Sequence, residues 1–377
     1  MPASIVSLGL ITSIALGSHG RILCGGLGYV PDSGWAGWSL RRLDADGSNA
    51  VNLMEGFMLP PFYPVLFCIH VQADGRILAG GGMGFANDPT AYMLLRFNAD
   101  GSPDSGFQSP RGAVALTIAS QADGRILVGG SFSEVNGSSR NGLARLVADG
   151  TLDASFYGSG PTNGCNGDVR AIVPLPDGKI LLAGGFTIVH GISRPHLARL
   201  NPDGSLDPSF PAAPPPDARI FAMTLEGDGR ILIAGEFMTV GGLSRPRVAR
   251  LKADGSVDET FDPGTGPNAP VYGMALLPDG DIVIIGSFTS VDGVARPQIA
   301  RLKTYVLRFE PPERRPGGQI RLVLHGRPAT RFILQTSADL QNWCPLRTNS
   351  FITTMSEFTE TNTLPGVSRF YRALSTE

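Results

Sequence analysis

Lysine is almost missing from this chain. Of its 31 basic residues in 377, only Lys179, Lys252 and Lys303 are lysine, and the rest are arginine. Charged residues make up only 17% of the sequence and the formal net charge is -2. That excludes the concentrated basic footprint by which proteins hold nucleic acid or an anionic membrane surface. No apolar run approaches the roughly 20 residues of a membrane-spanning helix. The four cysteines, Cys24, Cys68, Cys165 and Cys344, show no C-x-x-C spacing and form no metal site evident in the sequence. Their even number permits disulfides, and they read as buried or incidental thiols. The motifs HExxH, GxSxG, GxxxxGKS and the EF-hand loop are all absent. The sequence therefore assigns no catalytic residue, no metal and no cofactor.

What is abundant is glycine and proline, 49 and 30 residues, about a fifth of the chain. With 42% hydrophobic residues there is ample material for a packed core, so the composition is that of a loop-rich folded protein rather than a disordered one. The glycines are periodic. The phrase DGRIL, or a variant of it, begins at His19, Asp74, Asp123, Asp177, Asp228 and Asp279, with spacings of 55, 49, 54, 51 and 51 residues. A second Asp-Gly follows in the first five units, at Asp46, Asp100, Asp149, Asp203 and Asp254. In four units a phenylalanine stands seven residues later: Phe107, Phe156, Phe210 and Phe261.

Within each unit residue types alternate at the strand period, and Asp-Gly between two such runs signals a hairpin. The strand before the first Asp-Gly (strand A) carries a large apolar residue at Ile14, Ile69, Ile118, Ile172, Met223 or Met274, preceded by a small one at Ser13, Cys68, Thr117, Ala171, Ala222 or Gly273. A strand uncharged on both faces must be covered on both. Strand B reads ILVGG, a loop of the type SVDGVARP follows, strand C ends in ARL, and the segment LDxSF supplies a candidate fourth strand. Four short strands in about 50 residues, repeated six times, fit a β-propeller; a β-solenoid is the rival, but its rungs are shorter and lack paired Asp-Gly hairpins.

The unit DGKILLAGGFTIVHGISRPHLARLNPDGSLDPSF at 177 to 210 closely resembles the delta-60 repeat of large bacterial proteins. The resemblance covers residues 9 to 303 and is weaker in the first two units. It implies a propeller-like, extracellular or cell-surface protein and carries no known catalytic residues across. The expected architecture is all-β: a six-repeat propeller over 1–304 followed by a small C-terminal β-sandwich over 305–377, with Tyr305 to Phe309 as a candidate closing strand. The EPPERRPGG stretch at 310 to 318 reads as a connection, and runs such as IRLVL, RFILQTS and RFYRA suggest five to seven strands beyond it. The uncharged first 18 residues have no basic n-region, and Ile11 to Leu16 align with strand A of the other units, so they read as structure rather than as a signal peptide.

Candidate functional residues follow from the hairpin geometry. Both Asp-Gly turns of a unit share one rim, and the B–C loops share the other with the variable linkers, where sequence freedom and binding are concentrated. That rim carries Arg140, Arg194, Arg245 and Arg296, from SRN, SRP, SRP and ARP. They are candidates for holding an anionic ligand such as an acidic glycan, because arginine recognises carboxylate and sulfate through two donors at once. The opposing reading is that each arginine ties its loop to a carbonyl or a nearby Asp. In the first two units the loops GYVPDSGWAGW and GFANDPTAY and the linker FMLPPFYP place Trp35, Trp38, Phe62 and Tyr63 as candidates for stacking on a sugar or a protein partner; filling a degenerate repeat is the alternative. His190 and His196 are the one histidine pair within a unit and read as surface residues rather than metal ligands. The Asp-Gly residues read as turns rather than calcium ligands. The function expected is binding or cell-surface interaction without chemistry, with a carbohydrate-active propeller enzyme as the alternative.

Overall fold

The computed structural model describes residues 11–17, 20–30, 35–48, 51–53, 65–83, 92–156, 164–210, 214–278, 280–303, 308–326, 331–352, 355–361 and 369–375. The structure is all-β, with helix confined to short 3-10 turns such as Pro316–Gly318. The chain divides into two compact units. One comprises Met1–Val257, Gly264–Met274 and Ile285–Ile299; the other comprises Asp258–Pro263, Ala275–Ile284 and Ala300–Glu377.

Each repeat builds an antiparallel sheet with strand B in the middle. In the third repeat the strands are A Val114–Ser120, B Ile126–Ser131 and C Leu143–Leu146; in the fourth, Val169–Pro174, Ile180–Gly184 and Leu197–Leu200; in the fifth, Ile220–Leu225, Ile231–Gly235 and Val248–Leu251. The same order holds for Val65–Val71, Ile77–Met83 and Tyr92–Phe97 in the second repeat and for Val271–Leu276, Ile282–Gly286 and Ile299–Leu302 in the sixth. The LDxSF segment contributes a single bridge to the end of strand C rather than a full strand, as in Leu146 with Leu152 and Leu200 with Leu206. In the first repeat a two-residue strand, Val51–Asn52, pairs with strand C there.

Strand A is bulged at one station. In the third repeat Ala115 pairs with Gly130 and Thr117 with Gly129, so strand A advances two residues while its partner advances one. Ala115 and Thr117 then face opposite sides of the sheet. The same shift skips Thr12, Phe67, Arg170 and Phe221 in other repeats. This irregularity, which pure alternation does not predict, helps strand A present uncharged residues to both faces.

The Asp-Gly turns differ from the two-residue hairpin expected. In Gln121–Arg125 the Gly124 N–H donates to the Gln121 carbonyl and the Gln121 N–H to the Arg125 carbonyl. Only the glycine has positive φ, 82°. The loop is thus a turn closed by a glycine bulge. Asp123 acts through its side chain, accepting the Arg125 N–H at 3.0 Å. Hairpins with two positive-φ residues do occur, inside the B–C loops: Asn136-Gly137, His190-Gly191, Gly241-Gly242 and Asp292-Gly293. There they join two-residue strands such as Ile188–Val189 and Ile192–Ser193.

Apolar clusters are shared between successive repeats. Leu127 and Leu143 of the third pack with Val169, Ile180 and Phe186 of the fourth. Leu181 and Leu197 of the fourth pack with Ile220, Ile231 and Phe237 of the fifth. Strand B is buried along its whole length in both the fourth and fifth repeats, as a strand covered on both faces must be.

Beyond residue 305 the described strands form two sheets. In one, Gln319–His325 pairs with Arg308–Phe309, Glu313–Arg315 and Met355–Glu360; in the other, Arg331–Ser337 lies between Cys344–Ser350 and Phe370–Ser375. Ile320, Leu322 and Leu324 of the first sheet share one cluster with Phe332 and Leu334 of the second.

Candidate functional site

Two families of arginine recur in the repeats, and the structure uses them differently. The first ends strand C. Arg145 donates from Nε to Asp153 at 2.8 Å, its guanidinium carbon lies 4.2 Å from the Phe156 ring centroid, and its Nη1 donates to the Pro202 carbonyl of the next repeat. Arg199 repeats the pattern with Asp207, Phe210 and Ala253, as does Arg96 with Asp104, Phe107 and Ala148. These guanidiniums are committed to holding one repeat to the next. The aspartate takes a further cation from the first turn: Arg125 at 3.2 Å for Asp153 and Lys179 at 2.9 Å for Asp207. Burial would raise the Asp153 carboxyl, but the Ser155 hydroxyl and N–H and the Arg145 guanidinium hold it below its ordinary value.

The second family is the set of rim candidates. Arg140, Arg194, Arg245 and Arg296 occupy equivalent stations at the ends of successive B–C hairpins. Each donates through Nη1 to the carbonyl just before it, at 2.8 Å for Arg140 and Arg245 and 2.9 Å for Arg194 and Arg296. Their backbone N–H groups close the hairpins onto Ser133, Thr187, Met238 and Thr289. Among the described residues, no carboxylate pairs with Arg194, Arg245 or Arg296. Arg245 is nevertheless only 9% exposed, and its buried Nε finds no acceptor. Arg194 and Arg140 are half-buried and Arg296 is exposed.

The aromatic candidates fare differently. Trp35 and Trp38 lie in a nine-residue strand, Trp35–Leu43, opposite Val30 and Leu27. The GYVPDSGWAGW loop is therefore largely an extension of strands B and C, which pair with each other from Leu27 and Trp38 to Val30 and Trp35. Phe62, Tyr63 and residues 84–91 lie outside the described residues. Tyr92, at the start of strand C in the second repeat, is 40% exposed and carries Arg111 5.0 Å from its ring centroid.

His190 Nδ1 accepts the Gly164 N–H at 3.1 Å and its Nε2 meets the Gly204 carbonyl at 3.0 Å, while His196 Nδ1 meets the Gly184 carbonyl at 3.2 Å. Each imidazole is bound to backbone, and burial lowers the pKa of both. Asp46 accepts the N–H and hydroxyl of Ser48, and Asp100, Asp149, Asp203 and Asp254 make the same two bonds to the residue two places on. Among the described residues no three His, Cys, Asp or Glu side chains gather as a metal site.

One set of rim residues escaped the sequence reading: the bulged station of strand A. Arg170 and Phe221 stand there, Tyr272 holds the equivalent sequence position in the sixth repeat, and the three make a row, with the Arg170 guanidinium carbon 5.1 Å from the Phe221 centroid and the Phe221 and Tyr272 centroids 5.4 Å apart. The available signal was variation. This station reads Thr, Phe, Leu, Arg, Phe, Tyr, while its neighbours stay apolar or small.

Five stretches of the chain, 72–107, 121–156, 175–210, 226–261 and 277–304, match the family described as a domain of unknown function (DUF5122) beta-propeller. The chain is a propeller-repeat protein. No curated protein matches it. Among solved structures, a gluconolactonase from Xanthomonas campestris is similar at 12% identity and a TM-score of 0.38, over 75% of this chain and 94% of that one. A glycoside hydrolase is similar at 12% identity and a TM-score of 0.30, over 96% of this chain and 94% of that one. An endo-1,5-α-L-arabinanase from Thermotoga petrophila is similar at 12% identity and a TM-score of 0.30, over 92% and 96%.

Proposed function

We propose that this is a non-catalytic, exported binding protein that holds an acidic glycan on the B–C hairpin rim through Arg140, Arg194, Arg245 and Arg296. The observation that carries the reading is the contrast between the two arginine families. Those of strand C, such as Arg96, Arg145 and Arg199, face a carboxylate of their own chain, whereas Arg194, Arg245 and Arg296 have none among the described residues. A buried cation without a counter-ion costs stability, and an anionic ligand would supply what Arg245 lacks. The architecture that goes with this reading is a six-bladed propeller of delta-60 type over 1–304 with a β-sandwich over 305–377, the export being what the resemblance implies.

A propeller enzyme acting on carbohydrate would need two carboxylates about 5 to 9.5 Å apart in an open pocket. The repeated aspartates are instead taken up by turn N–H groups and by arginines, which favours binding.

The test is a glycan array and protein pull-down with the intact chain and with a triple Arg194→Gln, Arg245→Gln, Arg296→Gln variant. Retention on uronate or sulfated glycans that weakens with salt and disappears in the variant is the expected result. Equal retention by the variant, or capture of protein partners alone, would contradict the assignment.

A further inference from the structure

Two backbone irregularities recur at the linker end of the sheets. The first is the bulge of strand A, which takes one side chain out of the ladder and re-aims it, as bulges beside binding sites do. The second is a three-residue turn just before strand C. In the third repeat Gly142 stands there with φ 69°, a conformation that costs glycine little. In the next three repeats the station belongs to His196, Arg247 and Gln298, with φ 65°, 67° and 65°. Each is closed by a bond to the carbonyl two residues back, Leu197 to Pro195, Val248 to Pro246 and Ile299 to Pro297, all 2.8 Å. A γ-turn of positive φ is strained for a residue with a Cβ. Glycine would relieve the strain, as Gly142 illustrates, so the side chains are retained against the backbone's preference.

The two series meet at His196. His196 lies in the field of Asp168, Asp217 and Arg219, from the starts of strand A in the fourth and fifth repeats. Gly185 lets the Asp168 carboxylate come in against the backbone there, since a Cβ on it would fall 2.2 Å from Asp168 Oδ1 and 3.6 Å from Arg219 Cδ. Arg170 is paired through Nε with Asp168 and lies over Phe221, which meets Tyr272 at an interplanar angle of 57°. Tyr272 is 53% exposed, and its hydroxyl donates to Ser287 Oγ at 3.3 Å. Among the described residues Arg219 has no carboxylate within ion-pair distance.

We propose that this edge of repeats four to six is a second binding site, distinct from the hairpin arginines, and that it takes a sugar ring. The half-exposed ring of Tyr272 suits the C–H face of a pyranose. The Arg170 guanidinium and the Asp168 carboxylate nearby suit its hydroxyls, because each presents paired donors or acceptors in one plane. The variation of side chains along a constant backbone is what selects one sugar over another.

The test uses the full chain on an array of neutral, N-acetylated and uronate oligosaccharides, followed by saturation-transfer NMR on the sugars retained. Ring protons of a bound sugar should receive saturation, and Tyr272→Ala should weaken binding at least tenfold while Tyr272→Phe restores it. Arg194→Gln should leave this sugar bound, which separates the site from the hairpin rim. Equal binding of every retained sugar by Tyr272→Ala would overturn the proposal and leave the hairpin assignment standing on its own test, whereas failure of every sugar to bind, uronates included, would overturn both.

Discussion

Arg145 Nη1 donates to the carbonyl oxygen of Pro202 at 2.6 Å, across the boundary between the third and fourth repeats. One planar side chain thereby grips its own Asp153, covers its own Phe156 and holds the second Asp-Gly turn of the next repeat. A lysine has a single point charge and no flat face, and cannot make the three contacts together. Part of the arginine excess is thus a consequence of how these repeats are joined.

Arg145→Lys and Arg199→Lys should therefore each destabilise the protein by about 1 to 3 kcal/mol, the range for disrupting a buried charged network. Thermal unfolding followed by circular dichroism checks this. Arg296→Lys, on an exposed hairpin end, should leave the midpoint unchanged.

The second Asp-Gly turn also packs across the boundary. Gly150 has φ 94°, and a Cβ there would lie 2.7 Å from Phe107 of the preceding repeat. Gly47 has nearly the same backbone, φ 83°, with nothing within 4 Å. Gly47→Ala should cost only the backbone strain, about 1 to 2 kcal/mol. Gly150→Ala should add an overpacking cost of about 1 to 3 kcal/mol. Urea denaturation of the two variants measures the difference.

Burial by itself would raise the Asp207 carboxyl, but the Ser209 hydroxyl and N–H, the Lys179 ammonium and the Arg199 guanidinium hold it far below the carboxylate range. Because its folded pKa is depressed, its contribution is complete above the unfolded value of about 3.9 and is lost as pH falls from there through the folded value. Urea midpoints should be level between pH 7 and 5 and drop below about pH 4. Asp207→Asn should be less stable at pH 7 with a shallower acid limb.

All four cysteines are free thiols. Burial raises the pKa of Cys24, Cys68 and Cys165, the last to about 12, while Cys344 is exposed. A disulfide reagent at neutral pH should titrate one thiol quickly in the native protein and four in denaturant.

The repeat and its strands were legible because Asp-Gly spacing and alternation are local, but the burial on both faces expected of strand A falls on strand B, as in Ile180–Gly184 and Ile231–Gly235, while strand A of the fifth repeat is mostly half-buried. The eight-residue interval from Arg145 to Asp153 or from Arg199 to Asp207 was visible too, but its meaning depends on a turn that brings the two together and on a carbonyl more than 50 residues away. The bulge at Arg170 and Phe221 depends on pairing between strands, which alternation along one strand cannot register. The short hairpin at His190-Gly191 hid inside what reads as a loop, since its strands are only two residues long. The extension of strands B and C around Trp35 and Trp38 was masked by the glycine and proline between them.

The central claim is that arginines of strand C hold the fold and arginines of the hairpins bind a ligand. Arg194 and Arg199 lie five residues apart in one repeat and separate the two roles. The decisive measurement is the melting temperature and the salt-dependent retention on a uronate glycan column of Arg194→Gln beside Arg199→Gln. The account predicts that Arg194→Gln melts like the wild type and elutes at lower salt, whereas Arg199→Gln melts several degrees lower. Wild-type retention by Arg194→Gln, or a loss of stability equal to that of Arg199→Gln, would contradict it.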